Sequence, residues 1–143
     1  MTICVYKFLL LPSFVSLFLF ALCWLTLSFF PLRRSAINRN VPIDKAIAAS
    51  VDSAAVYCWA HPLTGGKQVV AESWRNLISV GATPIAITNC LNFGSPENQD
   101  NMGEFVECVQ GIGEACEYLN FPVVSGNVSF YNQTKEIGIK PTP

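Results

Sequence analysis

Charged side chains are scarce in this sequence, and the basic ones do not cluster. Charged residues make up 13% of the 143 positions, which is about half the share usual in a soluble domain. Nine Lys and Arg residues face ten Asp and Glu residues, so the formal net charge is −1. A protein that holds a nucleic-acid backbone needs a basic stripe or patch. Its absence argues against nucleic acid as a partner, and the length allows one modest domain.

The sequence also lacks the spacing of a zinc site or of a compact disulfide framework. It has a single histidine, His61, and no C-x-x-C pair, so zinc ligands are missing at metal-binding spacing. We expect the cysteines to be reduced, mostly buried thiols of a cytosolic protein. The six cysteines are Cys4, Cys23, Cys58, Cys90, Cys108 and Cys116.

Glycine-rich nucleotide loops are absent as well. Neither G-x-G-x-x-G nor G-x-x-x-x-G-K-[ST] occurs, which excludes the usual dinucleotide fingerprint and the P-loop. A shorter G-x-G at residues 111–113 lies inside a segment of helical periodicity. There we expect the glycines to allow close helix packing.

Apolar residues, by contrast, are in excess at 51%, and they concentrate near the N-terminus. Residues 8–32 carry no charge and are long enough for one membrane-spanning helix, which needs about 20 residues. Arginines follow this segment, and the positive-inside rule would keep the rest of the chain in the cytoplasm. Three interpretations stay open: a membrane anchor, an export signal, or unrelated apolar sequence fused to an enzyme remnant. We predict one helix at 8–32 that does not pack into the following domain.

The chain divides by composition into an apolar leader at residues 1–34, a polar linker at 35–44 and a domain at 45–143. Apolar runs bounded by turn residues predict three strands in the domain. Apolar positions at helical spacing predict two helices, near residues 67–80 and 102–119. The predicted strands span residues 46–51, 84–91 and 121–131.

Local signals set the expected ends of these elements. Residues 62–66 have the composition of a turn, Thr64 is a candidate N-cap, and Gly81 a candidate helix stop. Asn120 is the expected cap of the second helix, and residues 125–127 are expected to interrupt the third strand. The strand–helix alternation favours a doubly wound parallel sheet. From the pattern alone the sequence predicts a small α/β domain.

Three segments carry residues suited to phosphate and metal chemistry. We expect the second and third to be polar loops at strand ends, where Gly lets backbone amides approach phosphate oxygens. Asn and Ser side chains supply donors to phosphate and oxygen ligands to hard cations. Taken singly, each is more typical of an ordinary turn. The segments are G-G-K-Q-V-V-A-E-S-W-R-N-L at 65–77, T-N-C-L-N-F-G-S-P-E at 88–97 and P-V-V-S-G-N-V-S-F-Y-N at 122–132.

In this order and spacing, the three segments resemble the family of phosphoribosylformylglycinamidine synthase. Relatives of that family are aminoimidazole ribonucleotide synthetase and selenophosphate synthetase. The resemblance runs almost continuously through residues 45–143 and fits the start of the second half of the enzyme. The implied fold is α+β: the half-barrel sheet of the aminoimidazole ribonucleotide synthetase N-terminal domain, with two helices on one face.

The resemblance also implies an activity and a set of site residues. The family enzyme uses ATP and Mg²⁺ to activate the amide oxygen of formylglycinamide ribonucleotide, and ammonia from a glutaminase partner or domain then gives the amidine. By the same resemblance, Asn89 and Gly126 would contact the nucleotide. Asn127 would contact the metal and Ser129 the substrate. No residue is assigned a catalytic role.

Several positions depart from the family pattern. Asn89 replaces an Asp, Cys90 replaces an Asn and Ser95 replaces another Asn. Loss of the carboxylate at position 89 weakens the expected attraction for magnesium. His61 stands where the family usually has Asp or Asn, and we interpret it as structural.

The family enzyme is several times longer than this chain, so we expect the chain to be inactive alone. One hypothesis is a synthetase-derived fragment behind an unrelated leader, whose partners would be the missing halves of the enzyme. A second is a membrane-anchored, non-catalytic interaction module. A third is one piece of a split synthetase.

Overall fold

The computed structural model describes residues 2–5, 36–38, 47–135 and 137–143. Strands β1 (Thr2–Val5) and β2 (Ala36–Asn38) pair antiparallel with the two edges of β3 (Ile47–Ser50). Strand β3 confirms the strand predicted there, whereas β2 lies within the predicted linker. The helix predicted at 8–32 falls outside the described residues. Within the described ranges, every helix is too short or too polar to cross a bilayer.

Two consecutive helices follow this sheet. Helix α1 (Ala55–Ala60) was not predicted, and helix α2 (Pro62–Ser79) begins with Pro62 in its first turn. Proline suits that position because its missing N–H has no partner inside the helix. The turn predicted at 62–66 is therefore wrong, and so is Thr64 as the N-cap. The composition suggested a turn because two adjacent glycines usually break helices. In the structure, however, Gly65 and Gly66 are buried within α2.

Both long helices end in the same hydrogen-bonded motif. After α2, the amide of Gly81 donates to Ile78 and that of Ala82 to Leu77. After α3 (Gln99–Tyr118), Asn120 donates to Glu117 and Phe121 to Cys116. These are Schellman motifs, which require a left-handed residue after the helix. Gly81 (φ 77°) and Asn120 (φ 48°) supply it, so both predicted helix ends are confirmed.

The start of α3 is fixed by the side chain of Asn98, which precedes the first residue of the helix. The Asn98 side-chain oxygen accepts hydrogen bonds from the amides of Asp100 (2.8 Å) and Asn101 (3.3 Å). Asparagine is among the best N-caps because it satisfies amides that lack a helical partner. The helix therefore begins three residues before the predicted start at 102.

The remaining strands form two small sheets. Strand β4 (Ile87–Asn92) pairs parallel with β5 (Val123–Ser129), and β6 (Gln133–Thr134) pairs antiparallel with β7 (Ile137–Gly138). The mixed α+β class is confirmed, but the expected doubly wound parallel sheet is wrong, because β3 pairs only with antiparallel neighbours among the described strands. Those strands form three separate sheets rather than one half-barrel. The described residues form three helices rather than the two that were predicted.

The core lies between α2, α3 and β4. Most of its buried residues come from these three elements and the segments that follow them, and β3 and α1 each add one. Phe105 lies edge-on to both Phe93 (5.2 Å between centroids) and Phe130 (5.1 Å), which ties α3 to the ends of β4 and β5. The cluster comprises Ala48, Cys58, Val70, Leu77, Ala82, Ile87, Leu91, Phe93, Cys108, Ile112, Cys116 and Phe121.

Candidate functional site

The second and third motifs lie side by side in the parallel pair of β4 and β5. The register sets Asn89 opposite Gly126, Cys90 opposite Asn127 and Asn92 opposite Ser129. The expectation that the polar residues of these motifs occupy loops is wrong for these positions. Strand β5 also runs through residues 125–127 without the predicted interruption. Hydrogen bonding between the strands therefore holds the two motifs in fixed register.

The strand geometry divides the four predicted site residues between two faces. Successive side chains of a strand point to opposite faces. Asn89 and Gly126 therefore share one face, with Asn127 and Ser129 on the other. A Cβ built on Gly126 would lie 3.0 Å from Asn89 Cβ, which agrees with the shared face. The structure thus brings together Asn89 and Gly126, but it does not bring all four residues to one surface.

Gly126 has a packing reason to lack a side chain. The same added Cβ would come within 2.9 Å of the Asn89 carbonyl oxygen, closer than real Cβ contacts. Any larger residue would push β5 away from β4 at the centre of their pairing. Glycine at this position is therefore required by the strand pair itself, whether or not a ligand approaches it.

Ser129 is held by a small hydrogen-bond network at the end of β5. The Asn132 side-chain amide donates to the Ser129 carbonyl (2.9 Å), to Ser129 Oγ (3.2 Å) and to the Phe93 carbonyl (3.1 Å). The Phe93 amide in turn donates to the Ser129 carbonyl (3.0 Å). Asn132 thus links the second motif to the third and fixes the orientation of the Ser129 hydroxyl.

A cleft of about 180 Å³ opens between β4, α2 and the segment that follows β3. Asn89 and Cys90 line it, together with Asp52 and Ser73. Asp52 accepts hydrogen bonds from Ser50 Oγ and from Asn76 Nδ2 (2.7 Å), so its carboxylate has a fixed orientation. Asp52 was not among the site residues predicted from the sequence.

The described side chains fit only part of a magnesium-nucleotide site. Among the residues that the structure describes, Asp52 is the single acidic side chain lining the cleft, and no Lys, Arg or His side chain lines it. Among residues 47–135 and 137–143, no three His, Cys, Asp or Glu side chains are grouped to hold a metal. Magnesium prefers several hard oxygen ligands, and phosphate needs positive charge. These residues therefore suit hydrogen bonding to a nucleotide and do not make a magnesium site by themselves.

The first motif lines the cleft through Ser73, but the glycines and the lysine at its start lie outside the lining and have a structural explanation. A Cβ on Gly65 would lie 2.5 Å from the Cα of Cys58, and one on Gly66 would lie 2.5 Å from the Cys108 carbonyl oxygen. Both glycines therefore allow neighbouring helices to approach α2. Lys67 forms an ion pair with Glu114 on α3 (2.5 Å). The G-G-K sequence thus serves helix packing in the described part of the chain.

Comparison with known proteins identifies the origin of these motifs. The family model for AIR synthase related protein, N-terminal domain, matches residues 34–142. Phosphoribosylformylglycinamidine synthase subunit PurL of Pelagibacter ubique is 86% identical over 100 residues, 70% of this chain and 14% of that protein. The PurL of Azorhizobium caulinodans is 64% identical over 109 residues, 76% of this chain and 15% of that protein.

A solved structure is similar in fold as well as in sequence. Thermotoga maritima PurL, complexed with ATP, superposes with a TM-score of 0.69 at 36% identity. The match covers 78% of this chain and 19% of that one. The chain thus spans 14% and 15% of the length of the two curated relatives.

Proposed function

Because this chain belongs to the family of AIR synthase related proteins, matching their N-terminal domain over residues 34–142, we propose that it forms part of a phosphoribosylformylglycinamidine synthase. That enzyme converts formylglycinamide ribonucleotide to the amidine in purine biosynthesis. ATP supplies the phosphoryl group that activates the amide oxygen. The observation that carries the proposal is the parallel pairing of β4 with β5, which aligns the two polar motifs residue by residue.

Each face of this strand pair receives its own role. We assign contact with the nucleotide to the face that holds Asn89 and Gly126; Asn89 lines the cleft, although Cys90 of the other face lines it as well. On the other face, Asn127 and Ser129 are assigned to the metal–phosphate assembly and to the substrate. In support, Asn132 orients the Ser129 hydroxyl by hydrogen bonds to both its backbone and its side chain.

The proposal includes dependence on further protein. Both faces of β5 are largely exposed, including the side chains of Val123 (43%), Val124 (69%) and Val128 (47%). Parallel strands are normally covered on both faces. We propose that the rest of a synthetase covers this strand, supplies the positive charge and carboxylates missing here, and provides the glutaminase connection. Alone, the chain would bind magnesium-ATP weakly and form no amidine.

The proposed arrangement leaves the membrane interpretation without support from the described residues. Strands β1 and β2, which flank residues 8–32, both pair with β3. The division at residue 34 stays a prediction, but β1 lies inside the predicted leader and pairs with β3 of the domain, so the leader is not wholly separate. A synthetase origin is favoured over an interaction module, because 100 residues of this chain are 86% identical to a PurL.

The nucleotide assignment can be tested by calorimetric titration of the full chain with magnesium-ATP. Asn89→Asp restores a carboxylate in the cleft, and a charge-assisted contact contributes about 1.5–3 kcal/mol. The affinity should rise roughly ten- to hundred-fold. Asn98→Asp is the matched control: it adds the same charge, keeps the α3 cap because Asp caps as well as Asn, and lies away from the cleft lining. It should leave the affinity unchanged.

Unchanged or weaker binding by Asn89→Asp would show that the nucleotide site lies elsewhere. Dependence on further protein has a separate test. Pelagibacter ubique PurL from which the matching 100 residues are deleted should be inactive, and adding this chain should restore amidine formation from ammonia. If this chain turns over substrate unaided, the proposal that it is only part of the enzyme fails.

A further inference from the structure

Helix α3 presents an apolar stripe to solvent. Met102, Val106 and Val109 are 38%, 52% and 41% exposed, and a Cβ added to Gly113 would meet nothing within 4 Å. Successive members of this set are four, three and four residues apart, the spacing that places side chains along one side of a helix. None of the four belongs to the buried core or lines the cleft beside β4. The part of the chain that the structure describes therefore leaves the stripe uncovered.

The stripe has the dimensions of a contact between two helices. Eleven residues separate Met102 from Gly113, which corresponds to about 16 Å or about three helical turns. Alternating steps of four and three residues are those of a coiled-coil seam, in which the side chains of one helix insert between those of another. The missing side chain at Gly113 leaves room for a large side chain of the partner. An opposing helix therefore suits the stripe.

The charges of α3 are all of one sign. Between Gln99 and Tyr118 the helix has five acidic residues and no Lys or Arg. Lys67 of α2 pairs with Glu114, while Glu107 and Glu117 are exposed. A helix docked on the stripe would meet negative charge along its edge, and a complementary partner needs Lys or Arg there. A second copy of this chain would bring another acidic helix to the same place, so like charges would oppose that association.

We propose that the outer face of α3 docks a helix of the remaining synthetase, one that carries Lys or Arg beside a row of apolar residues. This inference rests on the proposed function. The residues that match this chain are 14% of Pelagibacter ubique PurL, so most of such an enzyme lies outside the chain and can supply the helix. The docked helix would bury Val106 and place its cations near Glu107. This contact is separate from the covering of β5, because it lies on a different element and requires a basic partner.

Overlapping synthetic peptides that cover Pelagibacter ubique PurL outside the matching 100 residues provide the probe. The full chain is passed over the immobilised peptides, and the association and dissociation rates are measured by surface plasmon resonance. We expect binding to a peptide that has basic and apolar residues at helical spacing, and weaker binding in high salt because charges are screened. Binding to none of these peptides, or to acidic ones alone, would overturn the proposal.

Two variants that add the same charge separate apolar docking from simple charge attraction. Val106→Glu should lower the affinity for that peptide about tenfold or more, because the burial of a valine is lost, even though the extra negative charge favours a basic peptide. Ile78→Glu adds this charge at a 43% exposed position of α2 and should not weaken binding. If the two variants bind alike, the stripe is not the contact. Should Val106→Glu fail to fold, Met102→Glu tests the same stripe.

The acidic edge has its own test. Glu107→Lys should slow association with little effect on dissociation, since charges at the rim of an interface act mainly on the association rate. An unchanged association rate would contradict a basic partner. Sedimentation equilibrium of the chain alone tests the other occupant: a wild-type dimer that Val106→Glu disrupts would assign the stripe to a second copy and overturn the proposal.

Restored amidine formation by the deleted PurL stays the test of the proposed function, and the two tests fail independently. A chain that restores activity but binds no peptide through Val106 would refute this inference alone. Peptide binding that depends on Val106 without restored activity would refute the proposed function and leave the docking face in place.

Discussion

Gly111→Ala should destabilise the protein, although alanine normally favours a helix over glycine. Gly111 is buried in α3, and a Cβ built there would lie 2.0 Å from the Leu63 carbonyl oxygen and 2.9 Å from its carbonyl carbon. These atoms belong to the backbone of α2, so no side-chain rotation relieves the overlap. The two helices would have to separate at a contact where a Cβ added to Gly66 would also lie 2.5 Å from the Cys108 carbonyl oxygen.

The expected magnitude follows from two opposing effects. Replacing glycine by alanine inside a helix stabilises by about 0.8 kcal/mol through backbone entropy. Overpacking a core contact costs about 1–3 kcal/mol, and an overlap with backbone belongs at the upper end. The net loss in the free energy of unfolding should therefore be about 2 kcal/mol.

The matched control lies two residues away on the same helix. A Cβ at Gly113 would meet nothing within 4 Å, so Gly113→Ala should gain the helical stabilisation of about 0.8 kcal/mol. The measurement is urea unfolding followed by far-ultraviolet circular dichroism, with the two variants and the wild type at equal concentration. Gly111→Ala as stable as Gly113→Ala would show that α2 and α3 do not approach as closely as described.

Three further predictions concern helix ends and thiol ionisation. Asn98→Ala should lower the free energy of unfolding by about 1 kcal/mol, since the α3 cap is lost, and Asn98→Asp should not; equal stability of the two variants would contradict the cap. Asn120→Ala should cost about 1 kcal/mol because its φ of 48° is left-handed, whereas Asn120→Gly should cost nothing. Burial raises the pKa of Cys116 from 9.0 to about 11, so stability should fall as the pH rises through this range, where only the unfolded thiol ionises. Cys116→Ala should show a smaller fall in its urea midpoint between pH 8 and 11; an equal fall would contradict the raised pKa.

The two long amphipathic helices were predicted well from the sequence, whereas the glycine-rich start of α2 was not. Helices α2 and α3 were predicted because apolar side chains recur at helical spacing, and Gly81 and Asn120 marked their ends. The start of α2 was missed, because Gly65 and Gly66 look like a turn unless the approach of Cys58 and Cys108 is known. That approach is a tertiary contact between residues far apart in the chain, and no local pattern encodes it.

The buried face of α3 was likewise not predictable from the local sequence pattern. Met102, Val106 and Val109 fit the apolar period, yet they are 38%, 52% and 41% exposed. The face that packs instead contains Cys108, Gly111 and Ile112. Its position depends on Gly111, because only a residue without a side chain lets α3 approach the Leu63 backbone. A pattern of hydrophobic residues does not identify a glycine as the centre of a contact between helices.

For the candidate site, the motifs named candidate residues but did not predict how these residues are arranged. The pairing of Asn89 with Gly126 and of Cys90 with Asn127 needs the strand register, which depends on how α3 returns the chain parallel to β4. Asp52 was missed because it lies 37 residues before Asn89 in sequence and joins it only in the cleft. The roles of Asn89, Gly126, Asn127 and Ser129 stay predictions.

The position of Lys67 bears on where a nucleotide's negative charge could be neutralised. In the sequence, Lys67 follows two glycines and looks suited to a phosphate, but its amino group pairs with Glu114 at 2.5 Å on the α3 side of α2. To reach the cleft, the Lys67 amino group would have to leave Glu114. It would also have to pass to the other side of α2, whose glycines are packed against neighbouring backbone. The cleft itself has a carboxylate, Asp52, and no cationic side chain in the described part of the chain. A triphosphate bound there would face uncompensated negative charge, so tight binding beside Asn89 and Gly126 requires cationic groups from outside residues 47–135 and 137–143.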